Sequence, residues 1–198
     1  MVGVMWWRRK QRHTAITLRQ YLALAGMLTE ESQRRLQGAA YHGHIGRHQT
    51  PANLDEATLG DVIEGGDQLS KAESVLQGVQ RLSGLTEEQL MDAPAQDVLA
   101  FIGMCAEQLR RIERLFAACK VEPTKEERQA GMADLDHGVF GLVDWYAQRM
   151  GISDHDQVFE RVKWVYVYNA LKIDTDNQRF QRRLQEIIYN NNTNTKKK

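Results

Sequence analysis

Residues 82–94 read Leu-Ser-Gly-Leu-Thr-Glu-Glu-Gln-Leu-Met-Asp-Ala-Pro, and their order predicts where helices end and begin. Gly84 can adopt the left-handed conformation that ends a helix, and Thr86 can accept from the free amides of the next one. Gln89 stands three residues after Thr86, as a capping box requires. Pro94 disfavours helical geometry at the residue before it and is tolerated in the first turn of a following helix. The stretch therefore predicts a short capped helix between two longer ones.

The segment after Pro94 has the clearest helical periodicity in the chain. Its apolar residues recur at intervals of three and four, at Val98, Phe101, Ile102, Cys105, Leu109, Ile112, Phe116 and Cys119. This spacing places one apolar face along a long central helix. The two cysteines would stand roughly 21 Å apart along it, which excludes a disulfide between them. Both are predicted to be small core residues of a protein from a reducing cytosol.

Similar caps and periodicities occur on both sides of the central helix. They predict helices from Thr17 to Gly26, Thr29 to Leu36, Asp67 to Leu82, Val139 to Met150, Val158 to Ile173 and Phe180 to Ile188. The β-branched residues after Val158 leave a strand open as an alternative there, although length and a capped start favour a helix. The chain is thus predicted to be all-α, an irregular bundle of about seven or eight amphipathic helices with no convincing strand.

One segment lacks this periodicity. Gly38 to Asn53 is rich in glycine and turn-forming residues, which predicts a long mobile loop near residues 38–53. We therefore divide the chain into an amino-terminal helical hairpin with a flexible loop (1–53), a main helical domain (54–189) and a polar, disordered tail (190–198).

Charge and hydropathy restrict the classes of partner. Lysine plus arginine and aspartate plus glutamate each number 26 in 198 residues, so the net charge does not favour nucleic acid or a membrane as the main partner. The basic ends, Arg8 to Arg12 and Lys196 to Lys198, are interpreted as solvated tails. The apolar run from Met1 to Trp7 is too short for a signal-peptide core, and no segment approaches the ~20 apolar residues of a membrane span. A cytoplasmic protein is expected.

The candidate catalytic and metal-binding groups have simpler interpretations. His42, His44 and His48 could supply three imidazoles to a metal, but the neighbouring glycines and the lack of a nearby cysteine or carboxylate favour a flexible polar loop. Two clusters of aspartate and histidine, at 134–137 and 154–156, stand at helix starts and are interpreted as caps. No phosphate loop, nucleophile elbow or His-Glu-x-x-His motif occurs. We therefore expect no enzyme, no metal and no cofactor.

Aromatic side chains are the best candidates for contact with another protein. Five of them fall in two clusters and a sixth follows alone: Trp145 and Tyr146, then Trp164, Tyr166 and Tyr168, and finally Phe180. Such clusters are typical of a core, and any exposed members would suit a partner helix or peptide. Arg179, Arg182 and Arg183 form the one inner basic cluster, and a nucleic-acid surface there lacks support from the net charge.

Several of these motifs resemble those of small all-helical proteins from the tail modules of tailed phages and prophages, in particular the tail assembly chaperones. The motifs are Leu82-Ser-Gly-Leu-Thr-Glu-Glu-Gln-Leu, Gly141-Leu-Val-Asp-Trp-Tyr-Ala-Gln-Arg-Met-Gly-Ile, Trp164, Ala170-Leu-Lys-Ile-Asp and, near the amino end, Ile16-Thr-Leu-Arg-Gln-Tyr-Leu-Ala-Leu. The resemblance implies a protein without catalytic activity that binds the long, helical tape measure protein during tail assembly. The loop at 38–53 and the basic ends have no counterpart in that resemblance.

Two other classes remain open. A structural virion component, such as a head-to-tail connector, would form rings through the same apolar and aromatic surfaces. A nucleic-acid adaptor would use the inner arginines and the basic tails. Homo-oligomerisation and the identity of the exposed faces are left open by the sequence.

Overall fold

The computed structural model describes residues 15–132, 135 and 137–195. Within these ranges the chain forms ten α-helices and a single two-stranded hairpin, which confirms the all-α prediction. The elements are α1 (Leu18–Leu24), α2 (Glu30–Gln37), β1 (His44–Ile45), β2 (His48–Gln49), α3 (Leu59–Ser70), α4 (Val75–Ser83), α5 (Glu87–Asp92), α6 (Ala95–Ala118), α7 (Lys125–Gln129), α8 (Gly138–Met150), α9 (His155–Arg161) and α10 (Trp164–Thr195). Residues 67–82, expected to form one helix, are divided between the end of α3 and α4, so the number exceeds the seven or eight expected.

The stretch at 82–94 folds as its helix-ending and helix-capping residues predict. Gly84 ends α4 with a φ of 72°, in the left-handed region. Thr86 then caps α5: its hydroxyl accepts from the Gln89 amide at 3.3 Å, and the Gln89 side chain accepts from the Thr86 amide at 2.9 Å. Leu90 is fully buried, so this short helix is fixed by its cap and by one core side chain.

Helix α6 is the centre of the molecule, as its periodicity predicts. Four of its buried residues, Val98, Phe101, Cys105 and Ile112, belong to one core cluster that also includes residues of α1, α3, α4, α5, α8, α9 and α10. Cys105 and Cys119 are both free and buried, in agreement with their predicted role as small core residues.

The amino-terminal segments attach to the start of α6. Leu18 N donates to Ala93 O and Ala95 N donates to Ile16 O, both at 2.9 Å. Leu18 and Ile45 lie in the same core cluster as the main helices, so the core continues across the boundary placed at residue 53.

Residues 38–53, expected to form a long mobile loop, carry the β1–β2 hairpin. Gly46, with a φ of 58°, allows the turn, and its amide donates to the Asp97 carboxylate of α6 at 3.0 Å. The side chain of Ile45 is fully buried, and Tyr41 packs edge-on against Phe101 with a ring separation of 5.4 Å. Two-residue strands are too short to produce an alternating pattern, which is why the sequence did not indicate them.

The carboxyl-terminal helices begin and end at other residues than expected. The helix expected from Val158 to Ile173 is interrupted, because residues 162–163 are extended and bind the segment before α3: Leu59 N donates to Val162 O at 2.8 Å. Helix α10 then continues without a break to Thr195. It includes residues 180–188, which were expected to form a separate last helix, and it extends into the residues expected to be a disordered tail. Helical segments, not a strand, occupy the β-branched stretch. The basic ends at 8–12 and 196–198 lie outside the described residues.

Candidate functional site

An open apolar groove lies between α3, α6 and the first turn of α8, and we call it the α3–α6–α8 groove. Its volume is about 590 Å³, within the ~300–1,000 Å³ usual for binding pockets. Leu59 and Ile112 are buried in its floor. The other apolar lining residues are Val62, Ile63, Leu69, Ala106, Leu109, Phe116, Val139 and Leu142. The groove can therefore accept a row of apolar side chains.

Glycines in α3 help to shape this groove. Gly65 lies on the side of α3 that meets α4, where an added Cβ would come within 3.0 Å of the Leu82 side chain. Gly66 faces the groove, where an added Cβ would lie 3.4 Å from the side chain of Leu109. Because Gly66 has no side chain, the space between α3 and α6 remains open.

The rim of the groove carries charges of both signs. Asp67 binds Lys71 at 2.6 Å, and Arg110 and Glu113 stand exposed on α6. Among the described residues that line the groove, Ser70 supplies a hydroxyl group, and none is a histidine or a cysteine. The arrangement thus offers apolar contact and charge complementarity to a ligand.

The six aromatic residues singled out in the sequence do not form one surface. Trp164 and Tyr146 are core residues, 3% and 4% exposed, so these two have the core role that the aromatic pattern also allowed. Burial raises the pKa of the Tyr146 hydroxyl. Trp145 is half-buried beneath the guanidinium of Arg149, which lies 5.8 Å from its ring centroid.

The other three aromatics lie on α10. Tyr168 is half-buried, with its ring 5.8 Å from that of Phe116 in an edge-to-face contact. Tyr166 and Phe180 are exposed, at 56% and 54%. These two therefore remain available to a partner.

Tyr166 and Phe180 belong to a larger surface that the sequence analysis missed, which we call the outward stripe. It consists of exposed apolar residues along one side of α10, namely Tyr166, Ile173, Phe180, Leu184, Ile187 and Ile188. The spacing of seven residues from 166 through 173 and 180 to 187 was the signal that could have revealed it. The sequence patterns predict two helices, one that ends at Ile173 and one that begins at Phe180, and this division splits the seven-residue repeat.

The inner arginine cluster is largely occupied within the protein. Arg179 donates to the carbonyl oxygens of Ala118 and Lys120, at 2.9 and 3.2 Å, at the end of α6. Arg182 forms two bonds to the Glu127 carboxylate, at 2.9 and 3.0 Å. The Thr124 amide at the cap of α7, together with Arg182, lowers the pKa of Glu127. Two of the three arginines thus join α10 to α6 and α7.

The histidines and acids also have structural positions. His44 stands in β1 and His48 in β2, where they pair with Gln49 and Ile45 rather than with each other. Across the described ranges, no group of three histidine, cysteine or acidic side chains is close enough to hold a metal ion. Asp154 caps α9, which bears out its predicted role. Asp134 and Asp136 lie outside the described residues.

One acid–histidine pair joins two helices. The His155 ring lies 3.0 Å from the Asp144 carboxylate of α8, and this hydrogen bond lowers the pKa of Asp144. Phe140 stacks on the same ring at 5.3 Å. The pair holds α8 against α9.

The helices of the described residues include none that is both long and apolar enough to cross a membrane. Comparison of the chain with protein-family models, curated proteins and solved structures finds no significant match.

Proposed function

We propose that this chain is a binding protein without catalytic activity, and that its α3–α6–α8 groove receives one face of an amphipathic helix from another protein. The observation that supports this most is the open apolar groove itself, with Arg110 and Glu113 on its rim. An amphipathic helix places side chains at positions i, i+3, i+4 and i+7 along one face, and such a row fits an elongated apolar groove. Rim charges of both signs suit a helix whose polar face is also mixed.

The partner that we propose is the tape measure protein of a phage or prophage tail, with this chain as its assembly chaperone in the host cytoplasm. The support for this identity is the resemblance of the motifs at 82–90 and 141–152. The second of these motifs contributes Leu142 to the groove. A long helical protein that awaits assembly exposes apolar faces, and a groove that covers them would keep it soluble.

The test is co-expression with the tape measure protein encoded in the same gene cluster, followed by affinity capture. Val139→Glu places a carboxylate in the groove, where Val139 is 43% exposed. An acid in the first turn of α8 is compatible with the helix dipole, so the fold should be retained. The expected result is a soluble complex with the natural chain and at least tenfold less captured partner with V139E.

Met150→Glu is the matched control, since Met150 is a 53% exposed apolar residue at the other end of α8, outside the groove. Its capture should equal that of the natural chain. An empty capture with a folded natural chain would refute the chaperone proposal. Equal capture by V139E and the natural chain would refute the role of the groove.

A ring-forming virion component is the second candidate, and the observation in its favour is the outward stripe on α10. A discrete ring of many copies in sedimentation would support it, whereas a monomer or dimer favours the chaperone. The nucleic-acid adaptor has weaker support, because Arg179 and Arg182 are bound within the protein. Salt-dependent DNA binding that is lost in Arg183→Ala would revive it.

A further inference from the structure

The outward stripe has the geometry of a coiled-coil seam. Tyr166, Ile173, Phe180 and Ile187 recur every seven residues, and Leu184 falls four residues after Phe180. An apolar repeat of this kind keeps one side of a helix against a partner helix over many turns. All four heptad residues are between 54% and 58% exposed, so these positions are uncovered in the single chain, whereas Ala170, four residues after Tyr166, is buried in the chain's own core.

The other side of α10 is already bound to the body of the protein. Val167 is fully buried, and the hydroxyl of Thr175 donates to Cys119 O at 3.0 Å. Arg182 holds the next turns to Glu127 of α7. With one side fixed in this way, the outward stripe cannot turn inward against the chain's own core. A helix of 32 residues extends roughly 48 Å at 1.5 Å per residue, so the stripe is long enough for a helical partner.

We propose that the occupant of the outward stripe is the same stripe of a second copy, in an antiparallel two-fold dimer. A half-exposed large apolar side chain leaves roughly 100 Å² uncovered. Two stripes of six such residues would therefore bury about 1,200 Å², the lower end of the range for specific protein interfaces. In a two-fold dimer the same surface of each copy contacts the other copy. Such a dimer covers both stripes and leaves neither exposed.

The charges beside the stripe select the direction and register. Asp176 and Arg183 flank its same side, and both are exposed; Asp176 binds Lys172 of its own chain. When Leu184 meets Ile173 of the second copy in an antiparallel pair, Asp176 approaches Arg183 of the second copy, and the two-fold axis repeats this contact. The dimer in this register gains two pairs of opposite charge.

Other arrangements lack these pairs. A shift of one heptad in one direction brings Arg183 against Arg183 of the second copy, and a shift in the other direction brings the two Asp176 side chains together. In a parallel dimer, Asp176 faces Gln181 and Arg183 faces Ile188, so no ion pair forms. Asn177, which meets Phe180 of the second copy in the proposed register, is a polar residue in the seam and further restricts the alignment.

The first experiment is sedimentation of the full chain alone, without any tail protein, so that its outcome is independent of the proposed chaperone function. The natural chain should be a dimer, and Phe180→Glu should be monomeric with an unchanged circular dichroism spectrum. Tyr189→Glu is the matched control on the opposite side of α10, where Tyr189 is 69% exposed, and it should remain dimeric. A monomeric natural chain, a larger ring, or a dimer unaffected by F180E would overturn the proposal.

The second experiment tests direction and register by charge reversal. Arg183→Asp and Asp176→Arg should each weaken dimerisation roughly 5- to 30-fold, because two attractive pairs become repulsive. The double variant D176R/R183D should restore the dissociation constant to within about threefold of the natural value. Dimerisation that the double variant fails to restore would overturn the antiparallel register.

Discussion

The indole Nε1 of Trp164 donates a buried hydrogen bond of 2.7 Å to the carbonyl oxygen of Leu54, across 110 residues of sequence. Beside it, the Trp164 amide donates to Ala57 O at 3.2 Å. These bonds fix the start of α10 against the segment that leads into α3, one wall of the groove. A tryptophan that the sequence offered as a partner contact thus supports the candidate site from within the core.

Trp164→Phe should lower the free energy of unfolding by about 1–2 kcal/mol, through the lost hydrogen bond and the smaller ring. Urea unfolding followed by circular dichroism measures this change. Trp145→Phe is the control, because Trp145 is half-buried and lies at the surface beneath Arg149; its effect should stay below about 1 kcal/mol. Equal effects of the two substitutions would show that the buried hydrogen bond contributes nothing.

Thr86→Ala should cost about 1 kcal/mol of stability, because α5 loses the side-chain acceptor of its capping box. Thermal unfolding provides the measurement. Glu88→Ala, at an exposed position of the same helix, should change the midpoint much less. If T86A leaves the unfolding midpoint unchanged and abolishes partner binding, the stretch at 82–94 is a contact surface instead of a structural element.

Helix-capping residues made much of this fold predictable. The caps at Thr17, Thr29 and Thr86 all lie where the sequence placed them, because a cap depends on a few adjacent residues. The break between α9 and α10 depends instead on the bond from Leu59 N to Val162 O, whose two residues are far apart in the sequence. No local pattern could reveal it.

The sulfhydryl of Cys105 should be unreactive in the native protein. Burial raises its pKa to about 12, so roughly 10⁻⁴ of it is thiolate near pH 8 and reagents cannot reach that fraction. Labelling of a Cys119→Ser variant with a thiol reagent, in which Cys105 is the one remaining cysteine, should proceed only at the rate of opening or unfolding. Rapid labelling under native conditions would mean that the centre of α6 opens readily.

Glu127 should make stability depend on pH, because its carboxylate accepts from the Thr124 amide at 2.7 Å and pairs with Arg182. The pKa of Glu127 lies below its ordinary value of 4.5 in the folded protein. A lowered folded pKa stabilises the protein above pH 4.5, and this contribution is lost as the pH falls through the folded pKa. Glu127→Gln should therefore flatten the acid side of a plot of stability against pH, measured by urea unfolding.

Glu126→Gln is the matched control for that experiment, since Glu126 is the adjacent, exposed carboxylate of α7. Its acid profile should follow that of the natural chain. Superimposable profiles for E127Q and E126Q would contradict the role assigned to the Glu127 carboxylate in capping α7 and joining it to α10.

The candidate site was less predictable than the fold. Residues such as Val62, Leu109 and Leu142 fit the helical periodicity of a core, and sequence alone does not show that three helices leave a groove between them. The aromatic clusters show the same limit of sequence patterns. Tyrosine and tryptophan are common both in interfaces and in cores, and Tyr146 and Trp164 lie in the core. Exposure is a property of the assembled helices.

Hydrogen exchange of the chain alone and bound to the tape measure protein tests the role of the groove most directly. The expected result is slower amide exchange on binding within α3 and within residues 106–116 of α6, the two long walls of the groove. The hairpin at 44–49 contributes no residue to the groove lining, so its amide exchange should be unaffected. Unchanged exchange in α3 and α6, in a complex that forms, would contradict the account of this groove as the binding site.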